Sequence, residues 1–123
     1  MVTVPSFLLR RLYVKGSLRK AAEGVQFQLS NKLGSGYAKR LFPLVVDGDE
    51  IPIKDCFFSF DGNEVPFSDV SQKVPFTLAI NKSTTIIIKN FSVGAGPHTI
   101  TMGFEVAGLG ALQFDFTDVT VDG

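Results

Sequence analysis

Val46-Asp47-Gly48-Asp49-Glu50-Ile51-Pro52-Ile53-Lys54-Asp55 returns fourteen residues later as Phe60-Asp61-Gly62-Asn63-Glu64-Val65-Pro66-Phe67-Ser68-Asp69. The shared register is apolar-Asp-Gly-x-Glu-apolar-Pro-apolar-x-Asp. Asp-Gly between two apolar stretches is a strong local signal for a β-hairpin, because glycine accepts positive φ and aspartate tolerates it. Proline cannot donate to a ladder, so the second half of each hairpin is expected on a sheet edge or leaving its sheet. The repeat predicts an antiparallel β meander.

The rest of the chain extends this pattern. Val25, Phe27 and Leu29 alternate with Gln26, Gln28 and Ser30, as Leu112, Phe114 and Phe116 do with Gln113, Asp115 and Thr117. Such alternation marks strands with one buried face. His98 to Val106 keeps the same parity. Thr84 to Lys89, rich in β-branched residues, predicts a strand buried on both faces. Phe7 to Lys15, Leu41 to Val46, Phe57 to Phe60 and Phe76 to Ile80 are further predicted strands, and Ser68 to Lys73 a short helical turn. Glycine-rich turns separate these runs. The expected fold is all-β, an antiparallel, jelly-roll-like β-sandwich of about nine strands in one domain, 1–123.

Composition narrows the function. Charged residues are 20% of the chain and the formal net charge is zero, which argues against a nucleic-acid binder. No run approaches the roughly 18 apolar residues of a membrane helix, and no signal peptide is visible. The expected location is the cytoplasm, with the single cysteine, Cys56, as a buried apolar residue. Twelve phenylalanines without tryptophan, and a mean hydropathy of +0.23, suggest rings at a subunit interface.

Four residues are candidate ligand contacts: Tyr37, Lys39, Arg40 and His98. Gly34-Ser35-Gly36-Tyr37-Ala38-Lys39-Arg40 allows close backbone approach and supplies positive charge, but it is neither a P-loop nor a dinucleotide fingerprint. The plainer alternative is a loop with Tyr37 packed on its stem. His98, the sole histidine, would be needed for any Ser-His-Asp or Cys-His chemistry. The plainer alternative is a ring that closes the core edge and bonds a loop carbonyl. One histidine and one cysteine are too few for the four-ligand set of a structural zinc site. Asp47, Asp49, Glu50, Asp55, Asp61, Glu64 and Asp69 lack the spacing of a calcium loop. Glu50 and Glu64 would have to flank a cleft to act as a glycosidase pair. No metal, cofactor or catalytic residue is assigned. Gly103, Gly108 and Gly110 mark either a partner surface or a bulged hairpin.

Leu12-Tyr13-Val14-Lys15-Gly16-Ser17-Leu18, Gly24-Val25-Gln26-Phe27-Gln28-Leu29-Ser30-Asn31, Gly34-Ser35-Gly36-Tyr37, Val45-Val46-Asp47-Gly48-Asp49-Glu50-Ile51-Pro52 and Gly96-Pro97-His98-Thr99-Ile100 together resemble the small beta subunit of bacterial C-glycoside deglycosidases. The resemblance implies a β-sandwich packed on a larger, metal-dependent catalytic subunit that carries the chemistry. The chain is also similar to short sequences labelled hydroxymethylglutaryl-CoA reductase. That activity is not expected, because the chain is far too small for that enzyme and lacks a dinucleotide fingerprint. The leading expectation is a non-catalytic accessory subunit that self-associates or packs on a larger catalytic chain. A small carbohydrate-binding module and a small enzyme acting through His98 are the alternatives.

Overall fold

The computed structural model describes residues 5–32, 36–78 and 80–122. Each copy of the repeat builds the hairpin that its register predicts, but the two do not join into the expected meander, because the chain crosses between sheets after the first hairpin. Strands β4 (Val45–Val46) and β5 (Asp49–Glu50) form one hairpin, and β6 (Cys56–Phe60) and β7 (Asn63–Pro66) form the other. Asp47 and Gly48 have φ of 50° and 88°, and Asp61 and Gly62 have 52° and 82°. Positive φ at both central residues matches the right-handed twist of the flanking strands. After each hairpin, Pro52 or Pro66 leads into a 3-10 turn, Ile53–Asp55 or Phe67–Asp69. The two copies lie in opposite sheets, and their 3-10 turns pack against each other. Both β5 and β7 end a sheet, so each proline sits where no ladder bond is lost.

One sheet has the order β12-β1-β2-β9-β6-β7, with β1 (Arg19–Ala21), β2 (Gly24–Ser30), β9 (Ser83–Lys89) and β12 (Val121–Asp122). The other is built on β10 (Pro97–Val106). This strand pairs on one side with β11 (Gly110–Val119), and on the other with β4 near its start and β3 (Gly36–Leu41) near its end. Strands β5 and β8 (Phe76–Leu78) complete it. The fold is an all-β sandwich of two mostly antiparallel sheets. It has more strands than the expected nine, because Arg19–Ala21, Gly36–Leu41 and Val121–Asp122 are strands as well.

Several predicted elements differ. Leu41 to Val46 is not one strand, since 42–44 are irregular, and the short turn expected at Ser68 to Lys73 is the 3-10 turn Phe67–Asp69. Phe7 to Lys15 is not a strand. Ser6–Leu9 is a short α-helix, α1, continued by a 3-10 turn at Arg10–Leu12. Pro5 supplies an extended entry and Leu9 and Leu12 pack into the core, so a helical repeat replaced the apparent alternation. Strand β9 buries one face fully, through Thr84, Ile86 and Ile88, while Thr85 and Ile87 remain half-exposed. It is therefore a one-sided strand.

The core joins both sheets through Val25, Phe27, Leu29, Ile86 and Ile88 from one and Leu41, Val46, Ile100, Met102, Phe114 and Phe116 from the other. Most of the phenylalanine excess is consumed here, leaving Phe7 and Phe60 as the exposed rings. Tyr13 lies over Phe116 with centroids 3.6 Å apart, and Phe27 meets Phe116 at 5.0 Å. Gly103 is explained by packing within the chain. A Cβ there would lie 3.1 Å from the Phe42 ring. Gly108 and Gly110 take φ of 85° and 87° in the β10–β11 turn, a conformation that glycine adopts without steric penalty.

Candidate functional site

The two ends of β10 carry different chemistry. At its start, His98 is fixed on both ring nitrogens. Nδ1 lies 2.7 Å from Asp47 Oδ2, and Nε2 lies 2.7 Å from the Gly94 carbonyl. A carboxylate and a carbonyl both accept, so the doubly protonated ring satisfies both contacts. The carboxylate of Asp47, with the Gly94 carbonyl, raises the His98 pKa. The His98 ring, helped by the Thr99 N–H that donates to Oδ1 at 2.9 Å, lowers that of Asp47. Proton abstraction needs a free ring nitrogen, and the fold commits both. The contact ties the first copy of the repeat to the loop before β10.

Next to it, Asp118 opposes His98 across the β10–β11 ladder. Its Oδ2 accepts from the Tyr13 hydroxyl at 2.7 Å and from the Gly16 N–H at 2.8 Å. Burial, with the Asp118 bond, pushes the Tyr13 pKa up to about 12. Tyr13 is thus a fixed donor that joins the N-terminal segment to β11.

At the other end of β10 the register slips between Glu105 and Val106, which pair with Arg40 and Ala38. Lys39 is the extra residue of a bulge. A bulge sets two residues against one, and both bases turn to the same carboxylate. Lys39 Nζ lies 3.7 Å from Glu105 Oε2, and Arg40 Nε lies 3.7 Å from Oε1. The Tyr37-to-Arg40 stretch belongs to β3 and is not a loop, while Gly34 and Ser35 fall outside the described residues. Tyr37 is 52% exposed, so its ring is not packed on a stem. His98 is separated from this group by the seven residues to Glu105, roughly 23 Å of strand. The four candidate contacts therefore do not form one site.

Beside Tyr37 the sandwich opens into a cavity of about 280 Å³. Leu29 comes from one sheet, Ala38, Phe76 and Met102 from the other, and Leu9 and Leu12 from the N-terminal helical segment. Sequence reasoning did not find this cavity, because its existence depends on how far apart the sheet ends stand. Its only local trace is a small residue, Ala38, among larger inward neighbours. The polar side chain inside is Asn31, 3% exposed, whose amide donates to the Leu78 carbonyl at 2.8 Å.

Among the described residues no three His, Cys, Asp or Glu side chains are grouped to hold a metal. Glu50 and Glu64 lie on edge strands of opposite sheets, and Lys89 binds Glu64 at 2.6 Å, so they flank no cleft. Among these residues, too, no helix is long and apolar enough to cross a membrane.

Fold and site define a β-sandwich with an apolar chamber at one end and a hydrogen-bonded histidine at the other. The family profile for hydroxymethylglutaryl-CoA reductase, N-terminal domain, matches residues 8–121. The chain belongs to that family. No curated protein matches it. The match overturns the likeness to the deglycosidase beta subunit and, with it, the accessory-subunit function drawn from that likeness. Neither a sugar-binding module nor an enzyme acting through His98 is supported in its place. The hydroxymethylglutaryl-CoA reductase label set aside on size is the one that names the family.

Proposed function

We propose that this sandwich serves in the reduction of hydroxymethylglutaryl-CoA as a domain that operates with a larger chain. The observation that carries this reading is the family match, which runs from residue 8 to residue 121. The description as an N-terminal domain supports a further body of protein that completes the enzyme. Hydride transfer to a thioester needs a bound hydride donor. The chamber does not fit a dinucleotide, whose pyrophosphate requires positive charge or free N–H donors, because its lining is apolar and Lys39 and Arg40 face Glu105. No step of the reaction is assigned to residues of this chain.

In this reading residues 1–123 form one domain in the cytoplasm, where the free, buried Cys56 remains reduced. Exposed Phe7 and Val74, both 60% accessible, support contact with a second copy or with the larger chain. The test is a reductase assay with hydroxymethylglutaryl-CoA and NADPH, run on the chain alone and on complexes captured from its native host. Turnover that accompanies the captured complex and falls when the chain is removed supports the proposal. Captured material without turnover, together with no calorimetric binding of hydroxymethylglutaryl-CoA, overturns it.

A further inference from the structure

We infer that the chamber at the Tyr37 end of the sandwich is a binding site for an uncharged alkyl or aryl group of a small molecule. Its volume of about 280 Å³ is near the lower end for small-molecule sites, which are concave and mostly apolar. Leu29 and Met102, each 1% exposed, with Ala38 at 3% and Phe76 at 4%, form a closed apolar floor. The surface a ligand can touch is supplied by the half-buried Phe104, Val106, Leu109 and Leu112 around the opening.

Charge decides the ligand class. Among the described residues, none that lines the chamber is ionisable apart from Tyr37, which stands at its mouth. Asn31 is already engaged through the Leu78 carbonyl. A phosphate, carboxylate or sugar hydroxyl that passes Tyr37 would lose its water against an apolar lining among the described residues, which is strongly unfavourable. Hydrocarbon gains from the same transfer. The chamber therefore selects against the carboxylate and phosphates of an acyl-CoA. Its occupancy is independent of the reductase reading, and the probes below contain no thioester.

The protein has no tryptophan, so Leu109→Trp places a single reporter at the chamber. Leu109 lines it from the β10–β11 turn and is only half-buried, so the larger ring has room outward. Titration with 1-decanol is expected to give a saturable, one-to-one blue shift of the indole emission, and to raise the Tm of the unmodified protein. Glucose and inorganic phosphate are expected to do neither. Ala38→Leu fills the chamber from its floor and is expected to weaken decanol binding at least about tenfold. If that variant misfolds by circular dichroism, Leu112→Phe, at a half-buried lining position, takes its place. Three results would overturn the inference: no saturable shift and no rise in Tm, equal binding by the filled variant, or a ligand-free dimer in which the indole is already buried.

Discussion

His98 and Asp47 meet at 2.7 Å although 51 residues separate them in the chain, and the Gly94 carbonyl holds the other side of the same ring. The histidine pKa is raised from its ordinary 6.5, so its stabilisation is complete below that value and disappears as the pH climbs through the folded pKa. The aspartate pKa is lowered from 3.8, so its contribution is present above that value and disappears as the pH falls through the folded one. Lys20 opposes protonation of the ring, and Asp118 faces it across the ladder. Tm should therefore be highest in mildly acid to neutral solution and fall on the alkaline side. His98→Ala should flatten that alkaline fall. A variant retaining the full slope would show that another group titrates there.

Gly48 and Gly62 sit at φ of 88° and 82°. Alanine at either position is strained by its Cβ and should cost about 1–2 kcal/mol. Urea unfolding of Gly48→Ala and Gly62→Ala measures this. The two losses should be similar, because the turns are copies. No loss at either site would contradict the turn assignment.

Gly24 is a harder case. A Cβ there would lie 1.9 Å from the Ile88 carbonyl oxygen, and backbone cannot step aside as a side chain can. Gly24→Ala should lose about 3 kcal/mol. Gly103→Ala meets only the edge of the Phe42 ring, at 3.1 Å, and should lose less. Adding Phe42→Leu should recover part of the Gly103→Ala loss, and a double-mutant cycle gives the coupling.

Cys56 is fully buried, and burial raises its thiol pKa. A thiol in that setting is inert, since the thiolate is the nucleophile. Modification by a disulfide reagent in native buffer should proceed no faster than the protein opens. Rapid, complete labelling of the folded protein would contradict the burial.

Tyr13 should ionise only near pH 12. Spectrophotometric titration of a Tyr37→Phe variant isolates its signal. Asp118→Asn removes the charged acceptor and should bring the midpoint down, with some loss of Tm as the N-terminal segment loosens from β11.

The fold was legible where one residue type had one reason to be in its place. Asp-Gly followed by Pro fixed both hairpins and their edges, and the Leu112–Phe114–Phe116 alternation fixed β11. Phe7 to Lys15 misled because apolar residues at 8, 9 and 12 suit a helix turn as well as a strand, and only the docking of Leu9 and Leu12 decides between them. The site was less legible for the same reason on a larger scale. Nothing near His98 names Asp47, and nothing near Tyr37 reveals a chamber walled by both sheets. Lys39 and Arg40 read as free charge until the bulge sets them both against Glu105. Each of these features depends on residues far apart in the chain, whose neighbourhoods are set by packing.

The duplicated turn also bears on how the molecule assembles. Its two 3-10 segments touch across the sandwich although they are fourteen residues apart. By contrast, the Tyr13–Asp118 closure spans 105 residues. Closing a short loop costs less entropy than closing a long one, and non-local pairings come late. The repeat is therefore expected to form early and to register one sheet against the other before either is finished. Substitutions inside it should slow refolding, while those at Tyr13 and Asp118 should chiefly hasten unfolding.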